Sequence, residues 1–289
     1  MTLPTYRADD DPGPSFLDVL RRAGGAPRWG ELPADATPTM SHGTDATPAI
    51  SHGTTVVAVR FADGVVMAGD RRATSGNLIS HRSMEKVFPA DRHSGVAIAG
   101  AAGPAIEMVK LFQLQLEHYE KVEGAELSLE GKANQLGQMV RSHLPAALQG
   151  FVVVPLFAGF DVRRGMGRLF EYDVTGGRYE ESDFAATGSG SLHAGTVIKL
   201  GYRHDLPRTE AVELVLNALF QAADEDSATG GPDLVRGIYP VIATITVEGF
   251  ARLPDDEIAE LFRALIDRLS TPGSSTAMGS SPTIGGARS

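Results

Sequence analysis

The hydrophobic pattern of the chain starts with two short runs on either side of a turn. Residues 55–61 are rich in β-branched side chains, 65–68 are apolar, and Ala62-Asp63-Gly64 between them has the composition of a tight turn. This arrangement predicts a β-hairpin. Further strands are predicted at 94–100, 151–160, 167–174, 178–187 and 239–247, with a turn at Gly176-Gly177.

Apolar residues at spacings of three and four predict the helices. Two helices are expected between residues 100 and 150, with a break that contains Gly131, and others start near Gly190, Thr209 and Asp255. The residues predicted to face the core are Val109, Phe112, Leu116 and Tyr119, then Leu136, Met139, Val140, His143 and Ala147, then Val212, Val215 and Leu219, and finally Ile258, Leu261, Leu265 and Leu269.

The order of these elements predicts the architecture. Strands occur in groups and helices in pairs, which does not suit a strict alternation of strand and helix. The order favours an α+β fold, a four-layer αββα sandwich in which two antiparallel sheets pack together and a helix pair covers each outer face. Residues 54–270 are expected to form this single domain.

Both ends of the chain differ in composition from this body. Residues 1–53 hold 7 of the 17 prolines and one short apolar cluster at 16–20, which can make a brief helix. On composition alone, a disordered extension is expected. Residues 35–44 and 45–54 repeat each other at eight of ten positions, and 271–289 are rich in Gly, Ser, Thr and Pro, which predicts a flexible tail.

Composition and charge exclude several classes of protein. The 289 residues carry a formal net charge of −10, which disfavours binding to nucleic acid or to an anionic membrane surface. Without cysteine there is no disulfide, zinc–thiolate site or cysteine nucleophile. The histidines are scattered without ligand spacing, so no metal site is expected. The most apolar stretch, 151–160, is about half the length of a membrane span, and a cytoplasmic location is expected.

The candidate chemistry lies in polar residues at the ends of predicted strands. Asp70 follows an apolar run, Lys86 lies between Met84 and Val87, and Asp226 precedes two glycines. Each has an ordinary structural explanation when taken alone, although a lysine in an apolar strand is costly unless it is paired. Gly188-Ser-Gly190 before a predicted helix is a weak signal for a phosphate-binding turn.

Taken in order, however, several motifs resemble those of proteasome β subunits, and the likeness extends over residues 54 to about 270. The run 224–237 and the long leader are most similar to the actinobacterial 20S type. The motifs are 54–59 (TTVVAV), 66–76 (VMAGDRRATSG), Lys86, 99–103 (AGAAG), 188–191 (GSGS) and 226–231 (DSATGG).

The resemblance implies an N-terminal-nucleophile hydrolase fold and a threonine peptidase. A leader would be cleaved at Gly53-Thr54, which makes Thr54 the nucleophile and its freed amine the base. A threonine hydroxyl needs such a neighbouring base, and an α-amine titrates near 7.7–8.0. Lys86 matches the buried lysine that polarises the site, and Asp70 matches the carboxylate that holds the lysine charged.

Further positions correspond by the same resemblance. Ser189, Asp226 and Thr229 match the network beside the threonine amine, although the family usually has serine where Thr229 stands. The backbone N–H of Gly100 matches the oxyanion donor. The apolar pocket for the residue before the scissile bond would be lined by Ala73, Met84, Phe88, Ile98 and Ala102.

The repeat places the same Ser-His-Gly-Thr signal before Thr44 and before Thr54. Thr44 is followed by Pro48, which is unsuited to a central strand, whereas Thr54 is followed by a β-branched run. Lys86 is 32 residues after Thr54 and 42 after Thr44, and the family spacing resembles the first. Thr54 is therefore the predicted nucleophile.

The resemblance also implies partners. Seven-membered β rings would stack with rings of α subunits as α7β7β7α7, degrade unfolded proteins delivered by an ATP-dependent ring activator, and need no cofactor. An inactive structural β subunit is the alternative, although such subunits typically lose the Gly-Thr junction or the lysine. A phosphate- or nucleotide-binding module is a third hypothesis, which comparing peptide hydrolysis with nucleotide binding would separate from the first two.

Overall fold

Strands and helices alternate in groups along the part of the chain that the computed structural model describes, residues 53–75 and 78–270. The strands are β1 (Thr55–Phe61), β2 (Gly64–Gly69), β3 (Ala73–Ser75), β4 (Leu78–His81), β5 (Val87–Asp91), β6 (Ser94–Gly100), β7 (Val153–Asp161), β8 (Met166–Tyr172), β9 (Arg178–Glu181), β10 (Phe184–Gly188), β11 (Val241–Thr246) and β12 (Gly249–Arg252). The helices are α1 (Ala102–Glu123), α2 (Leu129–Ala147), α3 (Ser191–Gly201), α4 (Arg208–Glu225) and α5 (Asp255–Ser270). The predicted leader helix, the Thr44 junction, the tail and all of the repeat except Gly53 and Thr54 lie outside the described residues.

Two five-stranded sheets form the centre of the domain. The first has the order β10-β1-β2-β11-β12 and the second β5-β6-β7-β8-β9, and every pairing within them is antiparallel. A separate hairpin, β3-β4, follows β2 along the chain. Successive side chains of β1 point to opposite faces of the first sheet, so its odd and even residues enter different cores.

Three apolar cores separate four layers. Between the sheets, Val56 and Met67 pack with Ala97 and Leu156. On the other face of the first sheet, residues of β1 and β2 pack with α3, α4 and α5. On the other face of the second sheet, residues of β6, β7 and β8 pack with α1 and α2. The predicted αββα sandwich is therefore confirmed, with three helices rather than a pair on the first sheet.

The structure corrects several local predictions. Residues 178–187, predicted as one strand, form β9 in the second sheet and β10 in the first, because the chain crosses between sheets at residues 182–183. Gly131 lies inside α2 rather than in a break, and its N–H donates to the capping hydroxyl of Ser128 at 3.1 Å. Tyr119 and Leu269, predicted to be buried, are 39% and 52% exposed.

Strands β3, β4 and β12 were not predicted, because short edge strands carry little apolar pattern. The strand expected around Lys86 is β5, which starts one residue later, at Val87. Of the helices in residues 53–75 and 78–270, none combines the length and apolar character needed to cross a bilayer.

Candidate active site

The antiparallel register of the first sheet brings three chain segments to one edge. Thr55, the first residue of β1, pairs with Gly188 at the end of β10, and Val56 pairs with Gly69 at the end of β2. Because antiparallel strands start where their neighbours end, the residues just after β2 and β10 lie beside the start of β1. Asp70 and Ser189 follow those two strands and therefore lie next to Thr54 and Thr55.

Thr54 is held at this edge by its own backbone and by Ser189. Its side-chain hydroxyl donates to the carbonyl oxygen of Gly53 at 2.8 Å. Its backbone N–H donates to Ser189 Oγ at 3.3 Å, and its carbonyl accepts from the Ser189 N–H at 2.8 Å. The residue is 5% exposed, so its hydroxyl sits in a largely water-free environment directly against the Gly53-Thr54 peptide bond.

Lys86 and Asp70 form a fully buried ion pair, with Lys86 Nζ 2.7 Å from Asp70 Oδ1. The ammonium also donates to the carbonyl of Arg72 at 2.5 Å. Burial lowers the pKa of Lys86 from its usual value, and the carboxylate of Asp70 acts against that shift. Both partners of Nζ are acceptors, which suits a charged lysine.

Asp70 is itself oriented by backbone N–H groups on both of its oxygens. Oδ1 accepts from Thr55 N at 2.9 Å, while Oδ2 accepts from Arg72 N at 2.9 Å and Gly230 N at 2.8 Å. A carboxylate with this many donors is fixed in position. It therefore links the buried lysine to the backbone of the residue that follows Thr54.

A second carboxylate, that of Asp226, supports the Ser189 hydroxyl that contacts Thr54. Asp226 Oδ2 accepts from Ser189 Oγ at 2.5 Å and from Thr229 Oγ1 at 2.6 Å, and Oδ1 accepts from Ala228 N at 3.1 Å. Burial opposes ionisation of Asp226, but these hydrogen bonds outweigh it and lower the pKa of the carboxyl. Since the Ser189 proton is donated to Asp226, the lone pairs of Ser189 Oγ face the Thr54 nitrogen.

Two glycines are required by close approach to this site. A Cβ on Gly53 would lie 1.8 Å from the Cβ of Ala228, so no larger residue fits before Thr54 without movement. Gly188 has φ +104°, and a Cβ there would lie 1.8 Å from the carbonyl oxygen of Thr54. The Gly-Thr junction therefore has a steric basis.

The structure places the predicted catalytic residues in two connected groups. Thr54, Ser189, Asp226 and Thr229 form one hydrogen-bonded group, and Asp70 with Lys86 forms the other. Gly100 is the last residue of β6, in the second sheet, with φ +105°. Its oxyanion role stays a prediction.

The predicted pocket residues lie on several separate segments of the chain. Met84 and Phe88 are partly buried and pack against the core that contains Ile98, whose N–H donates to the carbonyl of Lys86 at 2.9 Å. Ala73 is buried on β3, and Ala102 is the partly exposed first residue of α1. Their contact with a substrate stays a prediction.

Sequence reasoning missed the hydrogen-bonding roles of Thr55 and Thr74. Thr55 Oγ1 lies 2.6 Å from Thr229 Oγ1 and accepts from Gly190 N at 2.9 Å, and Thr74 Oγ1 accepts from Gly53 N at 3.2 Å. In the sequence, both threonines look like ordinary β-branched strand residues, which gives no signal for a polar role.

The glycine turn before α3 does not have a free donor at its last position. Gly190 N donates to Thr55, which leaves that N–H unavailable to a phosphate and weakens the phosphate-binding hypothesis. In the described part of the chain, no group of three or more His, Cys, Asp or Glu side chains is arranged to hold a metal ion.

Comparison with known proteins adds to this geometry. A family profile described as "Proteasome subunit" matches residues 50–235. "Proteasome subunit beta" of Acidimicrobium ferrooxidans is 55% identical over 263 residues, which is 90% of this chain and 92% of the relative. The protein of the same name from Streptomyces griseus is 62% identical over 214 residues, 74% of this chain and 76% of the relative. That from Acidothermus cellulolyticus is 55% identical over 254 residues, 86% and 84% of the two chains.

Proposed function

The chain belongs to the proteasome subunit family, and from this premise we propose that it is a catalytic β subunit, a threonine endopeptidase whose nucleophile is Thr54. Family membership implies a peptidase role and assembly with other proteasome subunits. The observation that carries the proposal is the Thr54 hydroxyl, 2.8 Å from the Gly53 carbonyl oxygen, in a site where Asp70 accepts from the Thr55 N–H and Asp226 accepts from Ser189.

Removal of the leader is the first proposed reaction. Thr54 Oγ attacks the carbonyl carbon of Gly53 and loses its proton, and the Gly53–Thr54 C–N bond breaks as the nitrogen takes up that proton in exchange. This leaves an ester between Gly53 and the Thr54 oxygen. Water then hydrolyses that ester, which releases residues 1–53 with a terminal carboxylate and leaves Thr54 with a free hydroxyl and a free amine.

Peptide hydrolysis uses the same oxygen. The freed Thr54 amine takes the hydroxyl proton, and the oxygen attacks the substrate carbonyl. The proton then passes from the Thr54 amine to the leaving nitrogen, which gives an ester and releases the amine product. Water cleaves the ester and restores the hydroxyl. Ser189 Oγ, 3.3 Å from the Thr54 nitrogen, is placed to accept a hydrogen bond from that amine, and Asp226 holds Ser189 in this orientation.

Lys86 supplies positive charge to the site. Its ammonium and the Thr55 N–H both donate to Asp70 Oδ1, so two hydrogen bonds through this oxygen link the charge to the residue after the nucleophile. In a buried site, a fixed charge acts strongly because water does not screen it. We infer that it favours the unprotonated amine and the developing negative charge on Thr54 Oγ.

The assembly proposed is the one that the family resemblance implies. Seven copies would form a ring, two such rings would stack between rings of α subunits, and an ATP-dependent ring activator would deliver unfolded proteins in the cytoplasm. Residues 1–53 would act as the propeptide, 54–270 as the catalytic domain and 271–289 as a tail.

The test is the mass of the chain after co-expression with its α partner. We expect a product that begins at Thr54, peptide hydrolysis by the assembled particle, and neither in the Thr54→Ala variant. A product that begins at Thr44 would contradict the assigned nucleophile. An intact leader together with no hydrolysis by wild-type particles would favour the inactive structural subunit.

A further inference from the structure

Thr55 connects the two carboxylate groups of the site. Its backbone N–H donates to Asp70 Oδ1, and its carbonyl accepts from Asp70 N at 3.2 Å. Its side chain points to the other group, where Oγ1 lies 2.6 Å from Thr229 Oγ1 and accepts from Gly190 N. The residue is fully buried, so these contacts compete with no bulk water.

The direction of the bond between the two threonine hydroxyls follows from its surroundings. An ionised carboxylate only accepts, so Thr229 must donate its single hydroxyl proton to Asp226 Oδ2. Thr229 Oγ1 is then the acceptor from Thr55, whose lone pair already takes the Gly190 N–H. The chain of donation therefore runs from Gly190 through Thr55 and Thr229 to Asp226.

The space around this chain is closed. A Cβ on Gly190 would lie 2.6 Å from both Thr55 Oγ1 and Thr229 Oγ1. The three groups are therefore in direct contact, and a glycine is needed to let them meet. Gly190 directly follows Ser189 in the chain. The Thr55 hydroxyl therefore fixes both the turn that carries Ser189 and the neighbouring Thr229, which supports Asp226.

We propose that the Thr55 hydroxyl is a positioning residue for the reaction at Thr54: it holds Ser189 and Thr229 together so that both donate to Asp226, and it fixes Ser189 against the Thr54 nitrogen. This inference rests on the proposed threonine peptidase function. Without the hydroxyl, the Gly190 N–H and the Thr229 oxygen each lose a buried partner, which favours a local shift of both.

The test compares Thr55→Val, Thr55→Ser and a control in particles assembled with the α partner. Valine keeps the size and β-branching of threonine without the hydroxyl, and serine keeps the hydroxyl without the methyl. The control is Thr244→Val, a buried threonine on β11 that pairs with Val66, three residue pairs along the strands from Gly69. Each particle is assayed for kcat and KM with a fluorogenic peptide and for leader removal by intact mass.

Thr55→Val is expected to lower kcat about 10–100-fold with KM within about twofold, because a small displacement of catalytic groups affects the reaction more than binding. Thr55→Ser should recover most of the lost kcat, and Thr244→Val should match wild type. Equal loss in the valine and serine variants, or a valine variant within twofold of wild type, would overturn the proposal.

Two further outcomes are decided by the design. If Thr55→Val does not assemble, Thr55→Ala is assayed in its place with the same expectation; if that also fails to assemble while Thr55→Ser assembles, the hydroxyl serves folding and the positioning role is wrong. If wild-type particles neither cleave the leader nor hydrolyse peptide, the proposed function has failed. Active wild-type particles with an undiminished Thr55→Val variant contradict the role of Thr55 alone.

Discussion

Two buried cations in this protein, Lys86 and Arg168, have very different surroundings. Lys86 is fully buried and meets one carboxylate, Asp70, and one backbone carbonyl. The side chain of Arg168 is 3% exposed, and its guanidinium contacts three carboxylates and lies 5.0 Å from the ring centroid of Phe170. The carboxylates are Glu180 at 2.6 Å, Glu130 at 2.7 Å and Asp161 at 3.2 Å.

The difference appears in the direction of the two pKa shifts. Hydrogen bonds that Arg168 donates to Glu180 are the main cause that raises the pKa of Arg168, whereas burial lowers the pKa of Lys86 and the carboxylate of Asp70 opposes that shift. Glu130 and Glu180 are each 44% exposed, so the arginine group still reaches water. The charge of Arg168 is paired with three carboxylates, and that of Lys86 is paired with one.

The two groups also join different parts of the fold. Arg168 on β8 ties together Asp161 at the end of β7, Glu180 on β9 and Glu130 on α2. The Lys86–Asp70 pair instead lies behind the start of β1, one hydrogen bond from Thr55. We infer that the arginine group serves stability and that the lysine pair serves the reaction, so their removal should have different consequences.

The largest effect is expected for Lys86→Ala. Loss of the ammonium should abolish peptide hydrolysis and leader removal, a decrease of at least about 10²–10³-fold, because the same hydroxyl must be activated in both reactions. Intact mass and fluorogenic peptides measure the two activities. A Lys86→Ala protein that matures at the wild-type rate would contradict the role of the lysine.

Lys132→Ala is the matched control. Lys132 is also buried and contacts Asp91 at 2.5 Å and Glu126 at 3.3 Å, between α2 and the edge of the second sheet. Its removal should reduce stability, as expected when a buried ion pair loses one partner, while the assembled fraction keeps its activity. Equal loss of activity in both variants would mean that any buried lysine matters in this way.

A charged side chain of a bound peptide would be a further buried charge to compare with Lys86 and Arg168. The predicted pocket residues, which include Met84, Phe88 and Ile98, offer no charged partner. A peptide with Arg or Glu before the scissile bond would therefore bury a charge without an ion-pair partner. Such burial costs a few kcal/mol, whereas an apolar side chain gains about 1.5–3 kcal/mol.

We therefore expect kcat/KM for Leu or Tyr peptides to exceed that for Arg or Glu peptides by about 10²-fold or more, with smaller differences among apolar residues. Fluorogenic peptides that differ only at this position measure the ranking. Equal values for the Arg and Leu peptides would show that the pocket assignment is wrong, or that a neighbouring subunit supplies the missing charge.

The sequence was sufficient for the layered fold because its strongest patterns belong to central elements. The run at 55–61 forms β1 as predicted, and Val212, Val215 and Leu219 are buried on α4. The division of 178–187 between two sheets was missed, since a change of sheet depends on which strand edges are free and leaves no mark in a local pattern.

The site was predictable only in part for a similar reason. The pairing of Lys86 with Asp70 follows from the cost of a buried lysine together with the family resemblance, and the structure has it at 2.7 Å. The Thr55 hydroxyl could not be predicted, because its partners are distant in sequence: Gly190 meets it through the pairing of β1 with β10, and Thr229 reaches it from the loop after α4.

The inference that the Arg168 group serves stability is tested by Arg168→Ala. Removing the guanidinium leaves three carboxylates together at one edge of the second sheet, and we expect a loss of about 1–3 kcal/mol of stability, discounted because two of them are partly exposed. Thermal unfolding of the particle measures it. Arg168→Lys keeps the charge without the paired hydrogen-bond geometry, and its stability should fall between those of wild type and Arg168→Ala.

Activity separates this variant from Lys86→Ala. The Arg168→Ala particles that remain folded should hydrolyse peptide within about twofold of wild type, since Arg168 contacts none of the groups around Thr54. If kcat fell as far as in Lys86→Ala, the distinction between a structural and a catalytic cation would be wrong.

The smallest effect expected is a pH dependence of stability in the arginine group. Hydrogen bonds from Arg168 are the main cause that lowers the pKa of Glu180 from its usual value in the folded protein. A carboxyl with a lowered folded pKa adds stability above its unfolded pKa, and that stability is lost as the pH falls through the folded value. Wild type should therefore lose part of its advantage over Glu180→Gln as the pH is lowered from about 5 to about 3.

The stability that wild type gains over Glu180→Gln should be below about 1 kcal/mol at neutral pH, because Glu180 is 44% exposed and water screens its pairing with Arg168. Melting temperatures of the two particles across this pH range measure it, with Glu248→Gln on the exposed turn before β12 as the control that should follow wild type at every pH. Added salt should shrink the difference at neutral pH. If the gap between wild type and Glu180→Gln stayed constant down to pH 3, the ionised form of Glu180 would not be the source of its contribution, and the arginine group would owe its stability to packing rather than to charge.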